Sequence, residues 1–189
     1  MKAVYTDHGQ SQFFNVENLA LQYYGKQEGW NGLHVENTLM RNYLGIFLWD
    51  EIFNDKIDFV FQTPYQFSPL DFDHPEFYGS RKDIIDDKLE MISKFNAVQL
   101  QVYFEQEYEL HKNTHNPLVN WDNLKLTKAR MSTILKCMGA EVLTMFLTKL
   151  ATDYKQWSYG MPDLILWREQ KKDRLISVID SQRTDDAMK

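Results

Sequence analysis

Two acidic residues stand in settings where a carboxylate could bind a metal ion, and the first of them is Asp163. It follows Gly160 and Pro162 and precedes an apolar run at 164–167. Gly160 permits unusual backbone angles, Pro162 favours extended geometry before it, and a continuous apolar run is typical of a strand covered on both faces. The pattern predicts a turn that places a carboxylate, a ligand type that Mg²⁺ accepts, at the start of a buried strand. Alternatively, Asp163 closes a turn, as most Pro-Asp pairs do.

The second acidic residue, Glu36, opens a stretch with helical spacing. If the segment 35–53 is one helix, Glu36 lies on a face whose other members are apolar, namely Met40, Tyr43 and Phe47. A carboxylate buried there without a partner is costly, and metal coordination relieves that cost. Alternatively, Glu36 lies in the first helical turn, where an acid favours the positive end of the helix dipole. The residues alone leave both interpretations open.

The elements that must position these acids are mostly helical. Capping residues, apolar spacing and Gly or Pro breaks predict helices at about 15–25, 35–53, from the Ser80 cap onward, and at 97–111, 127–138 and 141–154. Strands at 162–167 and 175–179 are predicted to form a hairpin around a polar tip, and residues 29–32 are predicted to form a turn. The expected fold class is therefore α/β and predominantly helical, ending in a β-hairpin.

Composition excludes several functions. The 189 residues suffice for one domain, or one and part of another, and 43% hydrophobic residues can build a core. The net charge of −6 is the wrong sign for a self-sufficient nucleic-acid binder, so DNA affinity would need a basic patch, bridging metal ions or another domain. Cys137 is the only cysteine, which rules out an internal disulfide. No apolar segment approaches the roughly 20 residues that cross a bilayer, so no membrane partner is expected.

Three ordered blocks of residues resemble the C-terminal region of the Fanconi-associated nucleases, which carries a virus-type replication-repair nuclease (VRR-NUC) domain. The first block comprises 29–36 and 44–53, the second runs through 65–66, 69–71 and 77–81, and the third joins 150–154 to 160–164. Their order and spacing are similar to those of the family from about Asn15 to Trp167, which is most of the chain. A Pro-Asp dipeptide alone would be a weak signal, whereas three ordered blocks are specific.

The resemblance implies a metal-dependent phosphodiesterase of the PD-(D/E)xK class with a restriction-endonuclease-like core. Family members cut branched or flapped DNA as 5′ flap endonucleases and 5′ exonucleases in interstrand crosslink repair, which implies a nuclear location. Carried over by position, Glu36 and Asp163 would be the catalytic residues and the ligands of Mg²⁺ or Mn²⁺. Residues 1–125 would form a helical region that contributes the glutamate, and 126–189 a partial VRR-NUC core. Ubiquitinated repair factors would bind through regions outside this sequence, so the chain is expected to be a fragment.

The sequence departs from the family where a Glu-x-Lys strand is expected. That glutamate completes the metal site, and the lysine stabilises charge on the phosphate. An ungapped register from Asp163 places Val178 and Asp180 near those positions, and neither residue has the required chemistry. A second alignment matches Asp173-Arg174-Leu175 to a family segment just downstream, with the catalytic strand missing. Glu169-Gln170-Lys171 spells Glu-x-Lys, but it lies in the predicted hairpin tip, too soon after Asp163.

Three functions therefore compete. The first is a structure-specific DNA nuclease that needs a third ligand beside Glu36 and Asp163. The second is a catalytically inactive fragment of such a nuclease. The third is a helical interaction module with no nucleic-acid role, which would show no DNA binding that weakens steeply with salt.

Overall fold

The computed structural model describes residues 5–6, 13–27, 29–63, 65–169 and 174–179. The helices within them are α1 (Val16–Gly25), α2 (Thr38–Phe47), α3 (Trp49–Ile52), α4 (Glu76–Ser93), α5 (Ala97–His111), α6 (Lys128–Thr152) and α7 (Tyr154–Ser158). The strands are β1 (Tyr5–Thr6), β2 (Phe13–Phe14), β3 (Trp30–His34), β4 (Leu164–Glu169) and β5 (Arg174–Ile179). The chain forms two compact units: the first contains α1 and the strands, and the second contains α2 to α7.

The first unit is built on a three-stranded antiparallel sheet in the order β3-β4-β5, beside a separate pair of β1 and β2. Trp30 pairs with Arg168 and His34 with Leu164, so β3 runs the whole length of β4. On its other side β4 pairs with β5, which confirms the predicted hairpin. The predicted turn at 29–32 is wrong, because only Gly29 has the turn conformation, with φ of 80°, and the strand begins at Trp30.

Gly32 allows α1 to approach the sheet. A Cβ added at Gly32 would lie 2.5 Å from Cδ2 of Leu21 on α1 and 2.6 Å from Cδ2 of Leu166 on β4. Because both methyl groups would have to move, we expect Gly32→Ala to lower the free energy of unfolding by about 1 to 3 kcal/mol, as overpacked substitutions do. Chemical denaturation followed by circular dichroism measures this. Gly25→Ala is the matched control, since nothing lies within 4 Å of its added Cβ; equal losses in both variants would contradict the packing argument.

The second unit is a helical bundle in which α6 packs against α2, α4 and α5. Its centre is aromatic: the ring centroids of Tyr43 and Phe104 lie 6.0 Å apart, and those of Phe47 and Phe104 6.1 Å apart. Such ring pairs add to the stabilisation that burial gives. The hydroxyl of Tyr43 is buried and donates a hydrogen bond of 2.7 Å to the carbonyl of Met131, which satisfies the one polar atom of this ring.

Several helix boundaries differ from the sequence prediction. The predicted helix 35–53 is two helices, because the backbone leaves helical geometry at Leu48, and the first of them begins at Thr38. The predicted cap at Ser80 is wrong, since α4 begins at Glu76 directly after Pro75, and proline is favoured at the start of a helix. The break at Gly139 is confirmed by its φ of 79° inside α6.

These elements confirm a predominantly helical chain with a small antiparallel sheet. The predicted division between residues 125 and 126 falls between α5 and α6, inside the second unit. As a division between sequence domains it stays a prediction. None of the helices in the described part of the chain is long and apolar enough to cross a membrane.

Candidate active site

The two predicted acids meet where β3 ends and β4 begins. The backbone N–H groups of Val35 and Glu36 both donate to the carbonyl oxygen of Asp163, at 2.9 and 3.2 Å. Since His34 pairs with Leu164, these bonds extend the ladder by one step beyond the regular strands. Residues paired in this way have Cα atoms about 5 Å apart. The structure therefore brings Glu36 and Asp163 together through their backbones, although they are separated by more than 120 positions in the sequence.

Glu36 does not lie on a helix, so the prediction of a helix-borne glutamate on an apolar face is wrong. It occupies the turn between β3 and α2 with φ of 46°, and its side chain is 67% exposed. A positive φ is uncommon for a residue with a side chain and requires surrounding contacts that hold it. The hydrogen bond from its N–H to Asp163 is such a contact. The turn presents this carboxylate to solvent instead of burying it.

His34 is a neighbour of Glu36 that the sequence prediction missed. Nε2 of His34, the last residue of β3, is 3.9 Å from Oε1 of Glu36 in the turn that follows. The His34 side chain is 31% exposed, so it is partly held by the sheet. The prediction separated these residues because it placed Glu36 on a helix and recognised no strand at 30–34. The turn that brings the two side chains together has no signal in the sequence, because it depends on the positive φ of Glu36.

The carboxylate oxygens at this strand end are of the kind that a hard divalent cation binds, but there are too few of them to hold it. Carboxylate oxygens are the ligands that Mg²⁺ and Mn²⁺ accept. Within the described ranges, however, no three His, Cys, Asp or Glu side chains form a group that could hold an ion. Glu36 and Asp163 alone do not complete a metal site, and an ion held between them would need a further ligand.

The alternative Glu-x-Lys at 169–171 does not supply that ligand. Glu169 ends β4 and Asp163 precedes its first residue, so six strand residues, or about 20 Å, separate them. Val178, from the ungapped register, pairs with Ile165, two positions from Asp163 along β4. Valine has no atom that can bind a metal ion. Asp180, Asp173 and Lys171 lie outside the described residues.

Comparison with known proteins identifies the class to which this arrangement belongs. The VRR-NUC domain matches residues 96–184. The chain is 44% identical over 154 residues to the Fanconi-associated nuclease 1 homolog of Oryza sativa subsp. japonica, covering 81% of this chain and 15% of that protein. With the homolog of Dictyostelium discoideum it shares 36% identity over 153 residues, covering 81% of this chain and 14% of that protein. The chain thus spans about one seventh of the length of these curated relatives.

The fold is also similar to that of solved structures. The crystal structure of paFAN1 bound to 1-nucleotide 5′-flap DNA with a gap matches this chain with a TM-score of 0.76 at 22% identity. The match covers 90% of this chain and 30% of that one. A second structure, with a 2-nucleotide 5′ flap, gives a TM-score of 0.71 at 23% identity, covering 84% of this chain and 28% of that one.

These matches define the fold as restriction-endonuclease-like. The chain belongs to the Fanconi-associated nuclease family and carries its VRR-NUC region.

Proposed function

We propose that this chain is part of a structure-specific DNA nuclease that hydrolyses phosphodiester bonds with the help of a divalent metal ion. The observation that carries the proposal is the carbonyl of Asp163, which accepts hydrogen bonds from both Val35 and Glu36. It holds the two acids that the family resemblance selects at one strand end. Acidic residues that are distant in sequence and have neighbouring backbones can supply oxygen ligands to one divalent metal ion, which activates water for hydrolysis.

In this proposal each residue has a distinct role. Glu36 and Asp163 would bind Mg²⁺ or Mn²⁺, which supplies Lewis-acid polarisation of the phosphate and lowers the pKa of a bound water. The turn at Glu36 presents its carboxylate to solvent, where DNA can reach it, and the pairing of β3 with β4 fixes the position of Asp163. His34 is proposed as a positioning residue, because its contact with Glu36 restricts where that carboxylate can point.

The proposed substrate is branched or flapped DNA. Two solved relatives of the same fold are bound to 5′-flap DNA, which supports this choice. The chain's net charge of −6 is unfavourable for a polyanion, so we propose that the rest of a longer protein supplies much of the DNA-binding surface. Action in interstrand crosslink repair, a nuclear location and contacts with ubiquitinated repair factors belong to the same proposal.

A second candidate function is a catalytically inactive form of this nuclease region. It is favoured by the pairing of Val178, a residue without a ligand atom, near Asp163 on the neighbouring strand. When residues act as one catalytic unit, removing any of them loses most of the rate acceleration. A centre without its glutamate and lysine would therefore cleave more slowly by orders of magnitude. For the 189-residue polypeptide itself, we propose metal binding at Glu36 and Asp163 with little or no cleavage.

Metal binding and cleavage are tested separately. We expect Glu36→Gln and Asp163→Asn each to weaken Mn²⁺ binding at least about tenfold, because each removes a charged ligand and leaves the side-chain shape unchanged. Isothermal titration measures the affinity, and a labelled 5′-flap DNA reports cleavage by the same samples. Glu141→Gln is the control, since Glu141 is an exposed acid on α6, in the other unit.

The outcomes separate the two candidates. Mn²⁺ binding that depends on both acids, without cleavage, supports the inactive form, whereas cleavage lost in both variants supports the active nuclease. Equal Mn²⁺ affinity in all three variants and the starting chain would overturn the proposed metal site.

A further inference from the structure

The second unit contains a cavity of about 560 Å³ that none of the roles above uses. Its wall combines one cation with three aromatic rings, contributed by Arg41, Phe67, Phe72 and Tyr154. The volume falls in the range typical of sites for small organic ligands. A guanidinium beside aromatic rings suits a ligand that is anionic at one end and flat and apolar at the other.

Arg41 is held in place but not fully paired. Its Nη2 donates a hydrogen bond of 2.7 Å to the carbonyl of Pro117. Its Nε is buried and has no hydrogen-bond partner among the described residues. Arg41 also acts on Tyr154: burial raises the pKa of that hydroxyl, and the charge of Arg41 and a hydrogen bond from it oppose the rise. The cation is therefore fixed by the wall of the cavity, and its charge is not cancelled by the groups that fix it.

The aromatic part of the wall is also preformed. Phe72 and Tyr154 have ring centroids 4.6 Å apart, and Phe67 packs on His115 at 4.2 Å. The loop that carries Phe67 is tied by Gln66, whose side-chain amide donates to the carbonyls of Val60 and Ser68 at 2.6 and 2.7 Å. Phe67 is nevertheless exposed. An exposed ring on a fixed loop can stack on a ligand with little loss of conformational freedom.

We propose that this cavity binds one nucleotide of single-stranded DNA, with a phosphate at Arg41 and the base stacked on the aromatic wall. Aromatic stacking with a nearby cation is how proteins bind unpaired bases without sequence preference. The choice of DNA as the ligand rests on the proposed function, whereas the anionic and planar chemistry rests on the cavity itself. Asp73, an exposed acid in the same wall, opposes phosphate binding and weakens it.

Binding of a fluorescent thymidine hexanucleotide to the 189-residue chain, measured by anisotropy in EDTA, tests the proposal. We expect Phe67→Ala to weaken binding about fivefold or more, the lower range for losing one stacked base. Arg41→Gln should weaken it similarly and reduce the slope of log affinity against log salt by about 0.7, the value for one phosphate contact on a single strand. Asp73→Asn should tighten binding.

Two controls match these changes. Phe59→Ala removes an exposed aromatic ring that does not line the cavity, and Arg130→Gln removes an exposed arginine on α6. Both should leave the affinity within about twofold of the starting chain if stacking and charge act locally. Circular dichroism checks that each variant is folded. If Arg41→Gln does not fold, the result for Phe67→Ala decides the test.

The outcomes are distinct from those of the nuclease proposal. Oligonucleotide binding that depends on Phe67 and Arg41 supports the cavity even if flap DNA is never cleaved. An unchanged affinity in folded Phe67→Ala, or equal losses in Arg41→Gln and Arg130→Gln, would overturn it. Binding of an oligoglutamate peptide through Arg41 with no binding of the oligonucleotide would overturn the choice of DNA.

Discussion

Replacing Arg81 by methionine should lower the free energy of unfolding by about 3 to 5 kcal/mol, the range measured when one partner of a buried ion pair is removed. The Arg81 side chain is 0% exposed, and its Nη1 lies 2.6 Å from Oδ2 of Asp71, which is 18% exposed. Its Nε donates to the carbonyl of Glu51 at 3.1 Å. Arg81→Met would leave the Asp71 carboxylate without its guanidinium partner and the Glu51 carbonyl without its donor.

Urea denaturation measures the free energy of unfolding of each variant, and a control variant shows how much of the loss is specific to the buried ion pair. Lys94→Met is the matched control, because it breaks an ion pair with Glu90 in which both partners are exposed. Such pairs contribute between 0 and about 1 kcal/mol. The double variant Arg81→Met, Asp71→Leu should recover part of the loss, since it removes the unpaired carboxylate as well. A loss below about 1 kcal/mol in Arg81→Met would contradict the cost expected for removing one partner of this buried pair.

Local signals in the sequence predicted the elements that they control. The predicted helix 97–111 has the boundaries of α5, and the structure shows why they are sharp: Asn96 caps the helix and Gln99 completes a capping box. The predicted break at Gly139 rests on the conformational freedom of glycine, and the structure confirms it with a φ of 79°. In both places the information lies within a few residues of the feature.

The elements that the sequence did not predict depend on distant partners. The segment Trp30–His34 contains an asparagine and a glycine and has no apolar alternation, so it resembles a turn. It becomes a strand because β4, which lies 130 positions later, pairs with it throughout. Its position explains both errors at the site: Glu36 was placed on a helix, and the contact between His34 and Glu36 was missed.

The two acids themselves came from different sources. The turn and apolar run around Asp163 indicated a strand-edge acid, and β4 confirms that strand. The residues around Glu36 left its role open, and the family resemblance selected it. The structure adds an observation that neither source contained. The carbonyl of Asp163 accepts hydrogen bonds from the N–H groups of Val35 and Glu36, which brings the backbones of the two acids together. Arg41 and its aromatic cavity had no signal in the sequence, because their lining residues come from separate segments.

Installing the family's Glu-x-Lys at positions 178 and 180 should convert the chain into an active nuclease. The change is Val178→Glu with Asp180→Lys, at the positions that the ungapped register assigns. Val178 pairs with Ile165, two positions from Asp163 along β4, so the change introduces an acid on the strand that pairs with the start of β4. Because residues of one catalytic unit act together, we expect Mn²⁺-dependent cleavage of 5′-flap DNA to rise on the order of 100-fold.

The matched control shifts the same pair by one residue, as Ser177→Glu with Ile179→Lys. A one-residue shift moves side chains to the opposite face of any strand, so this variant should gain nothing although its charges are the same. Adding Asp163→Asn to the active variant should abolish the gain. If the two pairs behave alike while both proteins stay folded, the ungapped register is wrong. The alignment that matches Asp173-Arg174-Leu175 to a downstream family segment would then be favoured, because in that alignment β5 is not the catalytic strand.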